Sequence, residues 1–409
     1  MSFEYFFARR ITLKTQRRAS TLTVRLAIVS IALAVATMEI ALSFVQGFET
    51  EIQKKVIGFG SHIHVGTYFR QLDSEVKPLP KDEAAIDQIR QLPEVVSVNA
   101  YVELAAALKS KEGWDGVRLK GVTGRYDWSF FREVLKEGHI PDYDRDLPTG
   151  VLEVLISRKQ ARRLSLAVGD KAVLLFLANL ERFKRRPITI AGIYETGMEE
   201  FDNSVVICDI RLLQDIWGWR PDEVSGFEVN LTSLTYLDQK VEQVKEIIPY
   251  RFDAEPITLL YPEIFDWLRL QHQNVWVILF LMIIVAVINM TTVVLILIIE
   301  RTRTVGILKA IGLPNYRVRR MFIWNAFFLI LIGVVAGNLL GLGLLASQDA
   351  FGWLRVNQED YFIEQVPVAW VWLRFLLVNL GTIACCTFFM LVPTIIINRI
   401  SPVEAIRFK

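Results

Sequence analysis

The sequence predicts a membrane protein with four transmembrane α-helices and one large α+β domain outside the bilayer. Three observations carry that prediction. Four apolar stretches are each long enough to cross a bilayer core, which needs about 20 apolar helical residues. Lysine and arginine gather on one side of those stretches. Between the first and second lies a long polar stretch in which strand-like and helix-like periodicities alternate. Composition agrees: of 409 residues, 52% are hydrophobic, and the mean hydropathy of +0.34 is high for a soluble chain.

In chain order, residues 1–48 hold an N-terminal cytoplasmic segment and the first span, whose apolar part is 22–48. That part is too long for a signal-peptide core and lacks a small-residue cleavage site, so a retained anchor is expected. Residues 49–274 form the outer domain and its helical stalks. The second span is 275–299, followed by a cytoplasmic segment, 300–320, and the third span, 321–346. An outer loop, 347–370, leads to the fourth span, 371–397, and a cytoplasmic tail, 398–409. Orientation follows from the flanks. Arg9, Arg10, Lys14, Arg17 and Arg18 precede the first span. Arg301, Arg303, Lys309, Arg317, Arg319 and Arg320 separate the second from the third, and Arg399, Arg407 and Lys409 follow the fourth. The 347–370 loop sets Asp349, Glu359, Asp360 and Glu364 against Arg355. Both termini are therefore expected in the cytoplasm, with the domain on the opposite side of the membrane.

Within the outer domain, 61–67 alternates like a strand. Residues 81–92 carry Ala85, Ile86, Ile89 and Leu92 at helical spacing, and a strand begins at 95. The same order recurs in 226–231, 237–248 and 252–259, which suggests two similar α+β lobes. Between them, 153–156, 172–177, 188–193 and 205–208 read as strands, with a helix over 158–164. Helical pattern continues outward over 46–57 and inward over 261–274, predicting two stalk helices.

Enzymatic chemistry finds no support. A P-loop requires a Gly-Lys step, and the chain contains none. His62 and His64 make an H-x-H pair without further nearby ligands, whereas zinc takes three or four, so no metal is expected. With three cysteines, Cys208 stands apart and Cys385 and Cys386 sit in a span, so no disulfide framework is expected. Glu39 lies inside the first span. Such carboxylates face protein or water, so it either borders a substrate path or pairs with Arg374. Gly333, Gly337 and Gly341 recur every fourth residue in the third span, the spacing that lets helices approach closely. The segment 300–312 mixes Arg301, Arg303 and Lys309 with Val305, Ile307, Leu308 and Ile311. It is either an amphipathic surface helix or a docking element whose apolar side a partner covers.

The order of short segments resembles the LolC/LolE-type ABC permeases and the wider MacB and FtsX-like group. The resemblance rests on Ala8-Arg9-Arg10, Gly47-Phe48 and Lys54 through Phe59 at the start, then Ser61-His62-Ile63 and Glu195-Thr196-Gly197 with Phe201-Asp202. It continues with Ile284 through Asn289, Gly306 through Gly312 and Ser401 through Arg407. It implies a type VII ABC transporter permease that works in a pair, with an identical copy or a paralogue. ATP and magnesium would be held by a separate ATPase, and no cofactor by this chain. The cargo would be lipoproteins taken from the outer leaflet of the inner membrane and passed to a periplasmic carrier; nucleic acid is not among the partners. Other branches imply a MacB-like efflux or envelope-stress permease, or an FtsX-like regulator of cell-wall hydrolases. The resemblance assigns ATPase coupling to Arg301, Arg303, Val305, Gly306, Ile307, Leu308, Lys309, Ala310 and Gly312. It places the lipid near spans one and two, where Met38, Glu39, Leu42, Val45, Val277, Phe280 and Leu281 are the candidate cavity residues. Two departures stand out: Thr304 where the family often has an acid, and a short connection at 178–187 where one branch carries a long carrier-binding hairpin.

The charge bias makes a direct prediction about topology. Reporter fusions after Arg320 and Lys409 should read cytoplasmic, and one after Gly150 periplasmic; a cytoplasmic reading at Gly150 overturns the orientation.

Overall fold

A computed structural model describes residues 18–67, 78–144, 152–179 and 182–399. The flanking charges before Arg18, those at Arg407 and Lys409, Gly150, and the motifs at residues 8–10 and 401–407 lie outside the described residues. The chain divides into two compact units: Met1–Glu49 with Trp267–Arg355 and Gln365–Lys409, and Thr50–Asp266 with Val356–Glu364.

Four helices of the first unit are long and apolar enough to cross a membrane. Arg18–Gly60, Pro262–Glu300 and Asn315–Phe351 contain the stretches 22–48, 275–299 and 321–346, and Trp372–Phe389 covers the first part of 371–397. The first two run past the apolar stretches without a break, as the helical pattern at 46–57 and 261–274 requires. The fourth loosens where Pro393 removes a backbone donor, continuing as a short turn, Leu391–Thr394, and a 3-10 stretch, Ile395–Arg399. Span three packs closely on span one. A Cβ added at Gly333 would lie 2.8 Å from Ile31, one at Gly337 2.7 Å from the Ala32 carbonyl, and one at Gly341 3.0 Å from the Ala36 Cα. The glycine repeat is thus a packing seam and lines no cavity described here. The loop after span three is stitched by Gln348, which is buried. Its amide donates to the Leu354 and Val366 carbonyls at 3.2 and 3.0 Å, and its oxygen accepts from the Leu354 N–H at 2.8 Å.

The outer unit corrects the expectation of two lobes. Strands Phe252–Pro256, Ile63–Thr67, Gly226–Leu231 and Val95–Lys109 lie side by side in that order, all antiparallel. The two strand–helix–strand halves therefore interleave into one split β-α-β-β-α-β lobe. Its helices, Glu83–Arg90 and Leu237–Ile247, bury Ile86 with Ile89 and Val241 with Val244, the helical spacing read from the sequence. Asp82 caps the first, accepting from the Ala85 N–H at 3.1 Å. The β-rich middle is an insertion between the halves. The strand Val95–Lys109 continues into it, pairing with Trp114–Val122, and beyond lie Val205–Asp209, Glu153–Ser157 and Arg182–Tyr194. The helix Arg158–Leu164 follows a reciprocal cap between Ser157 and Gln160. The supposed connection at 178–187 is mostly strand: Lys171–Asn179 pairs with Arg182–Tyr194 down to Asn179 opposite Arg182.

The seam yields a two-sided prediction. Overfilling a packed helix contact costs about 1–3 kcal/mol, so Gly337→Leu should lower yield and melting temperature in detergent. Gly343→Leu, where an added Cβ meets nothing within 4 Å, should behave as wild type. Equal tolerance of both would show that the seam is not packed.

Candidate functional site: a membrane cavity and a helix between spans two and three

Spans one, two and four enclose an apolar cavity of about 530 Å³. Span one contributes Met38, Leu42, Val45 and Gln46, which recur at one-turn spacing along a single face. Span two presents Val275, Trp276, Leu279, Phe280 and Ile283 by the same periodicity. Span four supplies Leu377, Val378 and Gly381. The polar contributors, Gln46, His272 and Arg374, lie near the ends of the apolar stretches 22–48, 275–299 and 371–397.

Four expected cavity residues, Met38, Leu42, Val45 and Phe280, line this space. Val277 and Leu281 do not: each is turned about 100° per residue from a lining neighbour and is more than half exposed. The contribution of span four was missed, because an apolar helix offers no sequence signal for which neighbour it faces. His272 and Gln46 carried no sequence signal that set them apart from neighbouring polar residues such as Gln273 and Asn274.

Glu39 sits beside the cavity without lining it and is fully buried. Its Oε1 accepts from the Asn379 amide at 3.2 Å, and Asn379 and Asn338 exchange two amide hydrogen bonds of 2.9 and 3.0 Å. Its Oε2 lies where a Cβ on Gly341 would be 2.6 Å away. The expected pairing with Arg374 is not made. Arg374 donates instead to Gln46 at the cavity rim, so the carboxyl of Glu39 joins spans one, three and four through amides.

The segment between spans two and three forms a helix, Thr302–Ala310. Its end is fixed by local geometry. Gly312 takes φ +93°, its N–H reaches the Lys309 carbonyl at 2.9 Å, and the Leu313 N–H reaches the Leu308 carbonyl at 3.0 Å. This is the glycine-closed terminus that only a residue free to adopt positive φ makes without strain. Of the apolar side proposed for docking, Val305 and Gly306 are buried within the chain and Leu308 is half-buried. Lys309 donates to the Ile397 carbonyl at 2.6 Å, and burial lowers its pKa from the ordinary lysine value. Arg301 opens the helix as its cap residue. The accessible face is Arg303, Ile307 and Ile311, four residues apart, with Ala310 beside them. Ile311 is 80% exposed and Ile307 44%.

His62 accepts from the Leu231 N–H and His64 contacts the Gly60 carbonyl. Among the described residues no cluster of three or more potential ligands occurs.

Comparison with known proteins matches residues 25–247 to the MacB-like periplasmic core domain and 276–402 to the FtsX-like permease C-terminal region. Curated relatives align over nearly full length. "Lipoprotein-releasing system transmembrane protein LolC" of Xylella fastidiosa is 21% identical over 93% of both chains. The Haemophilus influenzae protein of that name is 23% identical over 97% of this chain and 96% of its own. "Lipoprotein-releasing system transmembrane protein LolE" of H. influenzae is 21% identical over 92% of each. With both halves matched, four spans and a periplasmic-type α+β domain, the chain belongs to the MacB and FtsX-like permease family as a LolC/LolE-type permease with the type VII ABC transporter fold.

Proposed function

We propose that this chain is the membrane subunit of an ATP-driven transporter that lifts lipoproteins from the outer leaflet of the inner membrane for passage to the outer membrane. The observation that carries this reading is the alignment over more than nine-tenths of both chains with LolC and LolE proteins. Its extent favours this branch over a MacB-like exporter or an FtsX-like regulator. The chemistry of the cavity fits the cargo. Acyl chains need an apolar wall, and each buried methylene contributes about 0.8 kcal/mol. The cavity wall is apolar below a polar rim of Gln46, His272 and Arg374, where ester and amide oxygens of a lipid anchor find donors.

A separate ATPase supplies the energy and holds ATP and magnesium, and a second permease, identical or paralogous, completes the assembly. The Arg303, Ile307, Ala310 and Ile311 face docks the ATPase. Burying one isoleucine contributes about 1.5–3 kcal/mol, or about ten- to a hundredfold in affinity. Ile307→Asp combined with Ile311→Asp should therefore abolish co-purification of the ATPase and release of lipoprotein. Intact assembly and transport in that variant would place docking elsewhere.

The cargo is tested by photo-crosslinking. A crosslinker at Leu42, inside the cavity, should capture lipoprotein without ATP and lose it on turnover, whereas one at Val277 should meet phospholipid. Stronger lipoprotein capture at Val277 would move the path to the outward face of span two. In proteoliposomes, purified complex that hydrolyses ATP but releases no lipoprotein would refute the reading.

A further inference from the structure

We propose that Lys120, charge-paired with Glu228, is the joint that locks the end of the first long helix to the outer sheet, positioning the outer domain during transport. The proposal rests on the transport reading for its consequence and on the outer unit alone for its geometry.

Lys120 and Glu228 are both buried, at 3% and 1% exposure, and their charged atoms lie 2.6 Å apart. They stand on strands Trp114–Val122 and Gly226–Leu231, which flank Val95–Lys109 on opposite sides. The pair therefore reaches across the intervening strand at the junction between the split lobe and its insertion. The contact is one of charge more than an aligned hydrogen bond, since the Glu228 oxygens have no well-directed donor. What Lys120 does direct is a bond to the helix. Its ammonium donates to the Phe59 carbonyl at 2.8 Å, in the last turn of Arg18–Gly60. The carbonyls there lack intrahelical donors and carry partial negative charge, so a cation holds them directionally. The next carbonyl, Gly60, is taken by His64 Nε2, which lies 3.9 Å from Glu228. The ammonium also sits 5.5 Å from the Phe59 ring centre and 5.4 Å from that of Tyr126. Burial works against its charge, and Glu228, with Tyr126 and Glu103, together more than offset this, raising its pKa above the ordinary lysine value.

The helix end has no slack around this bond. A Cβ at Gly58 would fall 2.3 Å from the Phe130 ring, and one at Gly60 2.8 Å from Ile257. Phe59 stacks on Phe201 at 4.1 Å, and Phe201 meets the edge of Tyr261 at 5.4 Å, one residue before the second long helix begins at Pro262. Both helices that continue into membrane spans are thus seated on one aromatic cluster, and Lys120 ties that cluster to the sheet. Stability alone is a poor account of such a pair. Well-packed apolar residues usually serve as well or better than a buried ion pair, but they cannot fix the direction of a carbonyl.

That contrast supplies the test. In Lys120→Met with Glu228→Leu, no charge is left unpaired, so the assembled complex should keep its melting temperature and ATPase rate. Spin labels at Lys54, on the helix, and Glu112, at the hairpin joining two strands of the sheet, read the joint without cargo. Their distance distribution should be narrow in wild type with and without ATP, and should broaden in the double variant on ATP addition. Lipoprotein released per ATP should fall by about fivefold or more, within the usual range of coupling between sites. A narrow distribution in the double variant overturns the joint, as does full release per ATP. Should that variant fail to assemble, Lys120→Met with Glu228→Gln is read in the same way. Absence of lipoprotein release by the wild-type complex would count against the transport reading, while the label distances still judge the joint.

Discussion

Two uninterrupted helices set the terms for the rest of the molecule. A helix satisfies its own backbone hydrogen bonds, so it is the form that a single segment can keep both in lipid and in water. A bilayer crossing needs about 20 residues, and the helices Arg18–Gly60 and Pro262–Glu300 have 43 and 39. The surplus carries helical backbone out of the apolar stretch, and it obliges the outer unit to accept two helix ends. Much of that unit's unusual chemistry gathers where it does so. The glycines at 58 and 60 have neighbours that leave no room for a side chain. Lys55 donates to the Thr196 and Phe362 carbonyls at 2.8 and 2.7 Å. Asp202 braces the turn at Thr196 and Gly197 with three further hydrogen bonds.

Seen this way, the outer domain is one lobe opened to admit an insertion. The split lobe brings residues near 63 and near 255 into adjacent strands, with His64 opposite Glu255, so the two helix ends meet although some two hundred positions separate them. The insertion leaves and returns through the strands Val95–Lys109 and Gly226–Leu231, which are neighbours. An insertion between paired strands can grow without disturbing the core that holds the helices.

Local pattern was legible and pairing was not. The spans, the capped helix Arg158–Leu164 and most strand positions follow from periodicity, which depends on nearby residues alone. The strand Trp114–Val122 was not read from the sequence although Val117-Arg118-Leu119-Lys120 alternates; its buried lysine becomes intelligible only beside Glu228. The two strand–helix–strand units were read correctly as units and wrongly as separate lobes, since interleaving is a long-range pairing that no local window contains. In the membrane the same limit applies. Val277, Phe280 and Leu281 share helical spacing, and only packing shows that Phe280 alone of the three lines the cavity and that span four contributes to it. The helix Thr302–Ala310 was legible from its residue types, whereas the burial of Val305 and Gly306 depends on what packs against it.

Glu39 shows how one constraint propagates through several sequence features. It is the one acidic residue in the apolar stretches 22–48, 275–299, 321–346 and 371–397. A carboxyl at that depth is tolerated where protein surrounds it, and three choices provide the surroundings. Gly341 leaves the room a side chain would take, Asn379 donates from span four, and Asn338 holds Asn379 from span three. Amide–carboxyl contacts between helices are modest individually but strongly directional. Together with the glycine seam, they fix both the distance between spans one and three and the rotation of span one about its axis. That rotation aims Met38, Leu42 and Val45 into the cavity. The carboxyl of Glu39, buried beside the cavity and held by Asn379, is thus the group that fixes which face of span one turns into the cavity.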